Sequence, residues 1–212
     1  MGSGAAALAG AADLATLRAT ALPLTGSGRV SEETRKRIAA LDHDKTQAEL
    51  IERMGAKAVS ADISNIGPMF NNGNVDTIIV PTIAYFPFEL QKGMGTKGAV
   101  IRMPLTISTY QMIIRHDQFP DGFGAKSRTF WAGQFDRALA LIVKAENDIP
   151  KSAWSEVSDQ IMTDYTVLLR ESRITAAEQG LYDKQGLKII KRVRCSVNPA
   201  DAECSSSSEN WN

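Results

Sequence analysis

Residues 37–81 read RIAALDHDKTQAELIERMGAKAVSADISNIGPMFNNGNVDTIIVP, and the order of periods along this stretch decides the fold class. RIAAL (37–41) reads as a strand that runs into the polar triplet Asp42, His43 and Asp44. TQAELIERM (46–54) puts Ala48, Ile51 and Met54 on one helical face, and Gly55 stands at the position past a helix end that favours positive φ. KAVS (57–60) is a second short strand. Residues 64–70 read as a helix with Pro68 in its early part, stopped by the turn signal Asn71-Asn72-Gly73-Asn74. TIIV (77–80) is an apolar run between turn residues, as expected of a strand covered on both faces of a parallel sheet. The stretch is therefore βαβαβ. Right-handed crossovers of this kind build an open α/β sheet whose ligands bind beyond the carboxyl ends of the strands.

Outward from this unit the periods change. Residues 99–118 (AVIRMPLTISTYQMIIRHDQ) are rich in β-branched side chains and predict two strands meeting near 107–109. Phe130, Trp131, Phe135, Leu139, Ile142 and Val143 recur at helical spacing and predict a helix over 127–147 that packs through this stripe. After the break at Ile149-Pro150, a second long helix is expected over 152–184 with Trp154, Val157, Ile161, Tyr165, Leu168 and Leu169 on its apolar face, ended by Gly186. LKIIKRV (187–193) reads as a last strand. Three regions result: a poorly determined Ala/Gly-rich segment over 1–30, compatible with a small-residue helix over 5–20, an α/β domain over 31–194 that opens with a short helical turn at Ser31–Glu33, and a mobile, Ser-rich tail over 195–212.

Composition narrows the function. The 212 residues carry 24 Lys+Arg against 24 Asp+Glu, a balance with no electrostatic footprint for nucleic acid. The longest unbroken apolar run, ALALIV at 138–143, is six residues, where a spanning helix needs roughly 20. No transmembrane segment is read, and the amino terminus, interrupted by Asp13 and Arg18, lacks the pattern of an export signal.

The candidate motifs for chemistry fail their context tests. Gly93, Gly95 and Gly98 spell G-x-G-x-x-G, but a strand-like segment rather than a helix follows, so a loop is the better account than a dinucleotide site. GFGAKS (122–127) has Ala125 where a phosphate loop requires Gly before Lys. His43 lies between Asp42 and Asp44, but one histidine without a second nearby falls short of metal-ligand spacing, and a polar loop is expected. His116 reads as structural, and no G-x-S-x-G or H-E-x-x-H occurs. Neither catalysis, metal nor cofactor is indicated. Cys195 and Cys204 enclose eight residues with Asn198-Pro199 able to turn the chain back. In an oxidising compartment they would form a disulfide, and in a reducing cytosol they would stay free.

The succession RIAAL, a helix ending in Gly55-Ala56, KAVSAD, Ile63-Ser64-Asn65, NNGNVD and TIIVP resembles the second lobe of TRAP-type periplasmic solute-binding proteins. ESRITAAEQGLYDKQGLKII (171–190) resembles that family's closing pattern, and more narrowly the chain is similar to divergent members described as RND-type efflux components linked to aminoglycoside resistance. The resemblance covers about residues 31–194 and implies a periplasmic-binding-protein-like open α/β sheet with long C-terminal helices. It also implies that part of the first lobe and the signal peptide would precede residue 1. It further implies a non-enzymatic periplasmic protein that captures a small solute in an interlobe cleft, with a membrane transporter or efflux components as possible partners. An RND pump itself requires many apolar spans, so any efflux role would be that of a periplasmic accessory.

Departures from the family pattern bear on the ligand. Ala39 stands where the family's carboxylate-clamping arginine is expected, and Ile78 to Pro81 replace a polar stretch, while an upstream family arginine would match Arg18. The solute wall is expected from three loops: Asp42, His43 and Asp44; Asp62, Ser64 and Asn65; and Thr82, Tyr85 and Phe86. These acidic and aromatic groups favour a cationic or neutral polar solute over a carboxylate.

Overall fold

A computed structural model of the chain describes residues 6–10, 36–103, 105 and 112–211. The short helical turn expected at Ser31–Glu33 and the strand junction near 107–109 lie outside the described residues, as does Arg18.

The alternation in residues 37–81 divides the core between two faces of a sheet. Strand β2 (Arg37–Leu41) sends Ala39 into one apolar cluster and Ile38 and Ala40 into the other. Strand β4 (Thr77–Pro81) does the same with Ile78 and Val80 against Ile79. Helix α1 (Lys45–Arg53) covers one face through the buried Leu50 and Ile51. Its start is set by Asp44, whose carboxylate accepts from the Gln47 amide at 3.1 Å, and Gly55 ends it at φ 78°. Strand β3 (Lys57–Ala61) follows, and helix α2 (Ile66–Asn71) buries Ile66 and Phe70 on the opposite face.

Six strands make one sheet in the order β3-β2-β4-β1-β5-β6, with β1 at Ala6–Gly10, β5 at Ala99–Ile101 and β6 at Trp154–Ser155. β2 runs parallel to β3 and β4, and β5 is parallel to β6. β1 is antiparallel to both β4 and β5, so β4 and β5 run the same way and only β1 opposes the rest. The expected open α/β sheet is present, with one reversed strand between its halves. Helix α3 (Leu90–Met94) packs through Leu90 and Met94 beside α2.

Several expected elements take another form. Residues 6–10 are a strand, not part of a helix, because their backbone completes ladders on two sides. The helix expected over 127–147 is two helices, α4 (Phe123–Ala132) and α5 (Phe135–Asp148), divided at Gly133-Gln134. Neither fully buries a residue: Trp131 is 53% and Phe135 52% exposed, Phe130 and Val143 are exposed as well, and only Leu139 and Ile142 are half-buried, so most of the stripe faces solvent instead of forming core. Trp154 belongs to β6, and the following helix α6 (Asp159–Glu178) starts at Ser158, whose hydroxyl accepts from the Ile161 amide, and ends ahead of Gly180 at φ 73° rather than at Gly186.

Residues 187–193 are helix, not strand. Asp183 accepts from the Gly186 amide at 2.6 Å and opens α7 (Lys184–Val197), a local cap that outweighs the β-branched run. The tail expected to be mobile is packed: helix α8 (Ala202–Ser205) follows, Trp211 is buried with Ala177 and Leu187, and Cys195 is bonded to Cys204. Glu203 and Glu209 are buried against arginines, with Arg173 Nε 2.9 Å and Arg194 Nη2 2.8 Å from the Glu209 carboxylate and Arg173 Nη2 3.2 Å from Glu203. Burial alone would raise the Glu209 carboxyl, but Arg173 and Arg194 outweigh it and hold it below the usual range.

Candidate functional site at the carboxyl edge of the sheet

Because all strands but β1 share one direction, the residues that follow β2, β3, β4 and β5 emerge at a single edge. The loops after β3, β2 and β4 are neighbours there, and the Asp42 amide donates to the Ala61 carbonyl at 2.9 Å, tying the first two together.

The nine candidate residues divide by what their polar atoms do. Asp44 is engaged in its own fold: its Oδ1 accepts from Gln47 N and from Thr46 Oγ1 at 2.6 Å. Asp42 is open, 58% exposed, with His43 Nδ1 at 3.3 Å from its Oδ1 as its side-chain contact. His43 is itself 73% exposed. Among the described residues no group of three or more His, Cys, Asp or Glu side chains could hold a metal.

Asp62, Ser64 and Asn65 form a closed turn before α2. Asp62 Oδ1 accepts from Ser64 N at 2.6 Å and from Asn65 N at 3.2 Å, while Asn65 Oδ1 accepts from Asp62 N at 2.9 Å. Hydrogen bonds from the Ser64 side chain and backbone lower the Asp62 carboxyl below its ordinary value, so it carries its charge through the neutral range. No cation pairs with Asp42 or Asp62 among the described residues, His43 aside.

After β4 the chain turns through Thr82 into an aromatic pair. The Tyr85 and Phe86 rings meet edge to face with centroids 5.0 Å apart, Tyr85 buried and Phe86 exposed. Burial pushes the Tyr85 phenol up, so it stays a neutral donor at neutral pH. Pro81, Thr82, Tyr85, Val100 and Ile149 line a small apolar crevice, and the buried Thr82 hydroxyl has no hydrogen-bond partner among the described residues.

Arg102, absent from the sequence-based candidates, follows β5 and emerges at this same edge, with β1 between it and the Thr82 loop. Its guanidinium lies 4.1 Å over the Trp154 ring, with Nε 2.9 Å from Glu156 and Nη1 3.6 Å from Glu146. Its placement depends on the direction of β5, which is set by the remote strand β1 and leaves no local signal. Ala39 is fully buried among Ala61, Ile66 and Ile78, so the position expected for an anion-clamping arginine is core in this chain. Gly93 serves close packing: a Cβ there would lie 2.7 Å from the Phe70 ring, and its amide donates to Asn71 Oδ1 at 3.1 Å. Where the sequence predicts a loop, Gly93 lies inside α3 and Gly95 caps it, with α3 packed on α2; Gly98 leads into β5.

Residues 29–209 match the family described as solute-binding protein AdeT 1/2. The chain is 42% identical over 174 residues to "Probable solute-binding protein AdeT1" of Acinetobacter baumannii, covering 82% of this chain and 57% of that protein. It is 28% identical over 176 residues to "Probable solute-binding protein AdeT2" of the same organism, covering 83% of this chain and 74% of that protein. In fold it is similar to a TRAP periplasmic solute-binding protein from Desulfovibrio salexigens with bound orotic acid (TM-score 0.64, 12% identity, 90% of this chain and 58% of that one). It is similar also to the periplasmic ectoine-binding protein of the TeaABC TRAP transporter of Halomonas elongata (TM-score 0.59, 10% identity, 84% and 56%). The chain therefore spans little more than half the length of AdeT1 and of these structures.

Proposed function

We propose that this chain, which belongs to the AdeT 1/2 family of solute-binding proteins, captures a small amine-bearing or neutral polar solute at the edge where β2, β3, β4 and β5 end, by binding and without catalysis. The observation that carries this reading is the charge balance of the edge. Asp42 and Asp62 lack a Lys or Arg partner among the described residues, while Arg102 already faces Glu146 and Glu156. A carboxylate solute would meet unpaired carboxylates and would have to displace two acids from the guanidinium. An ammonium group meets complementary charge, and the exposed Phe86 ring offers a face on which a cation is further stabilised. Ser64, Asn65, Thr82 and Tyr85 add neutral hydrogen-bonding groups along the same edge, with Asp44 and His43 at its rim.

Such an edge would form one wall of a cleft between two lobes, with a membrane transporter as the receiving partner. The Cys195–Cys204 bridge supports an oxidising compartment such as the periplasm.

Calorimetry with a matched pair, the diamine putrescine and the dicarboxylate succinate, tests the preference. Putrescine should bind and lose most of its affinity in Asp42→Asn and Asp62→Asn, with succinate silent. Succinate binding that survives both substitutions would overturn the reading. Absence of binding by either would favour the accessory role beside an RND-type efflux system that the sequence resemblance implies.

A further inference from the structure

Helix α7 is packed the wrong way round for a surface helix. Ordinarily the apolar stripe faces the protein and the charges face water. Here the inward side carries Leu187 and Cys195 together with two cations that the tail engages: Lys191 Nζ donates to the Ser206 carbonyl at 2.8 Å, and Arg194 pairs with the Glu209 carboxylate at 2.8 Å. The outward side carries Ile189, Ile190, Val193 and Val197, which are 59%, 58%, 48% and 59% exposed. Ile189, Val193 and Val197 stand at i, i+4 and i+8 and form one continuous row.

Beside that row runs a second of the same spacing, Lys184, Lys188 and Arg192, all exposed and without a carboxylate partner among the described residues. The helix contains no Asp or Glu at all. An aliphatic row flanked by unpaired cations on a chain of zero net charge is a local feature, not a consequence of overall charge.

We infer that the outward face of α7 docks on an anionic lipid surface, with Ile189, Val193 and Val197 at the headgroup–acyl boundary and Lys184, Lys188 and Arg192 on the lipid phosphates. Interfacial helices combine these two features, and each Lys or Arg near an anionic leaflet contributes a factor of roughly five in affinity. A folded protein partner fits less well. Protein interfaces are anchored by Trp, Tyr or Arg side chains set in pockets, whereas this row is aliphatic. Charge complementarity selects an anionic surface over a neutral one, and long lysine stems let the cations reach phosphate while the row is immersed.

The test is cosedimentation of the disulfide-bonded chain with large vesicles of phosphatidylcholine alone and of phosphatidylcholine mixed with phosphatidylglycerol, at low and high salt. The chain should pellet with the anionic vesicles at low salt, remain in solution with the neutral ones, and be released by salt. Lys188→Gln/Arg192→Gln should weaken partitioning about thirtyfold, and Val193→Ser should also reduce it. Equal binding to both vesicle types, or no binding to either by the wild-type chain, would overturn the proposal. So would a dimer in sedimentation velocity that Val193→Ser dissociates, since the row would then belong to a second copy. The wild-type lipid and salt comparisons stand whatever the variants do to folding.

Discussion

Opening the Cys195–Cys204 bridge should destabilise the carboxyl-terminal region by an amount that the loop length sets. The cysteines are nine positions apart, and the chain-entropy relation for a closed loop of about ten residues gives about 2.7 kcal/mol at room temperature. Opening it frees a segment held otherwise by the contacts of Glu203 and Glu209 with Arg173 and Arg194 and by the buried Trp211. Those contacts act on a tail tethered close to α7 in the oxidised chain and on a far wider ensemble in the reduced one. Urea unfolding of the chain with and without a non-thiol reductant, followed by Trp fluorescence and far-ultraviolet dichroism, measures the difference. The Cys195→Ser/Cys204→Ser variant should match the reduced chain and ignore the reductant. A change below about 0.5 kcal/mol would show instead that the Arg–Glu contacts hold the tail without the covalent tether.

Three further outcomes follow from particular contacts. Gly93→Ala should cost about 1–3 kcal/mol in thermal unfolding, since its Cβ would meet the Phe70 ring at 2.7 Å; a neutral result would show that α3 can shift away from α2. Trp131→Ala should change stability by no more than about 0.5 kcal/mol, because the ring is 53% exposed; a loss of about 3–5 kcal/mol would mean the α4–α5 face is covered in solution. Acid should release the tail: a carboxyl lowered in the folded state stabilises above its unfolded pKa of about 4.3 and loses that contribution as pH falls through its folded value. Trp211 emission in a Trp131→Phe/Trp154→Phe background should therefore shift to the red below about pH 4, and Glu209→Gln should remove that transition.

What was legible in the sequence was what local chemistry determines. Residues 37–81 announce their strands as short runs set between turn residues and helical periods, and their helix ends by Gly55 and Asn71–Asn74, and the structure follows them closely. The disulfide was legible in its spacing as the outcome of an oxidising environment. Elements decided by distant partners were not. Residues 6–10 become a strand because β4 and β5 flank them, and the apolar stripe of α4 and α5 reads as core from its period but leaves Phe130, Trp131, Phe135 and Val143 in solvent. At α7 two local signals compete, the β-branched Ile189, Ile190 and Val193 against the Asp183 cap, and the cap prevails. The tail reads as mobile because its serines carry no apolar pattern. Its order comes from two buried carboxylates and three arginines drawn from α6 and α7, a pairing that no window along the chain displays. At the sheet edge the three loops were legible as strand ends, whereas Asp44 proves to be a helix cap and Arg102 emerges only once the direction of β5 is known.

Solute binding where the parallel strands end is tested by mapping amide chemical-shift changes by heteronuclear NMR as putrescine is added to the isotope-labelled chain. Saturable shifts should concentrate at residues 42–44, 62–65 and 82–86, be absent in the Asp42→Asn/Asp62→Asn variant and not be produced by succinate. Saturable shifts confined to the solvent faces of α4, α5 or α7, or the same edge responding to succinate and not to putrescine, would contradict it.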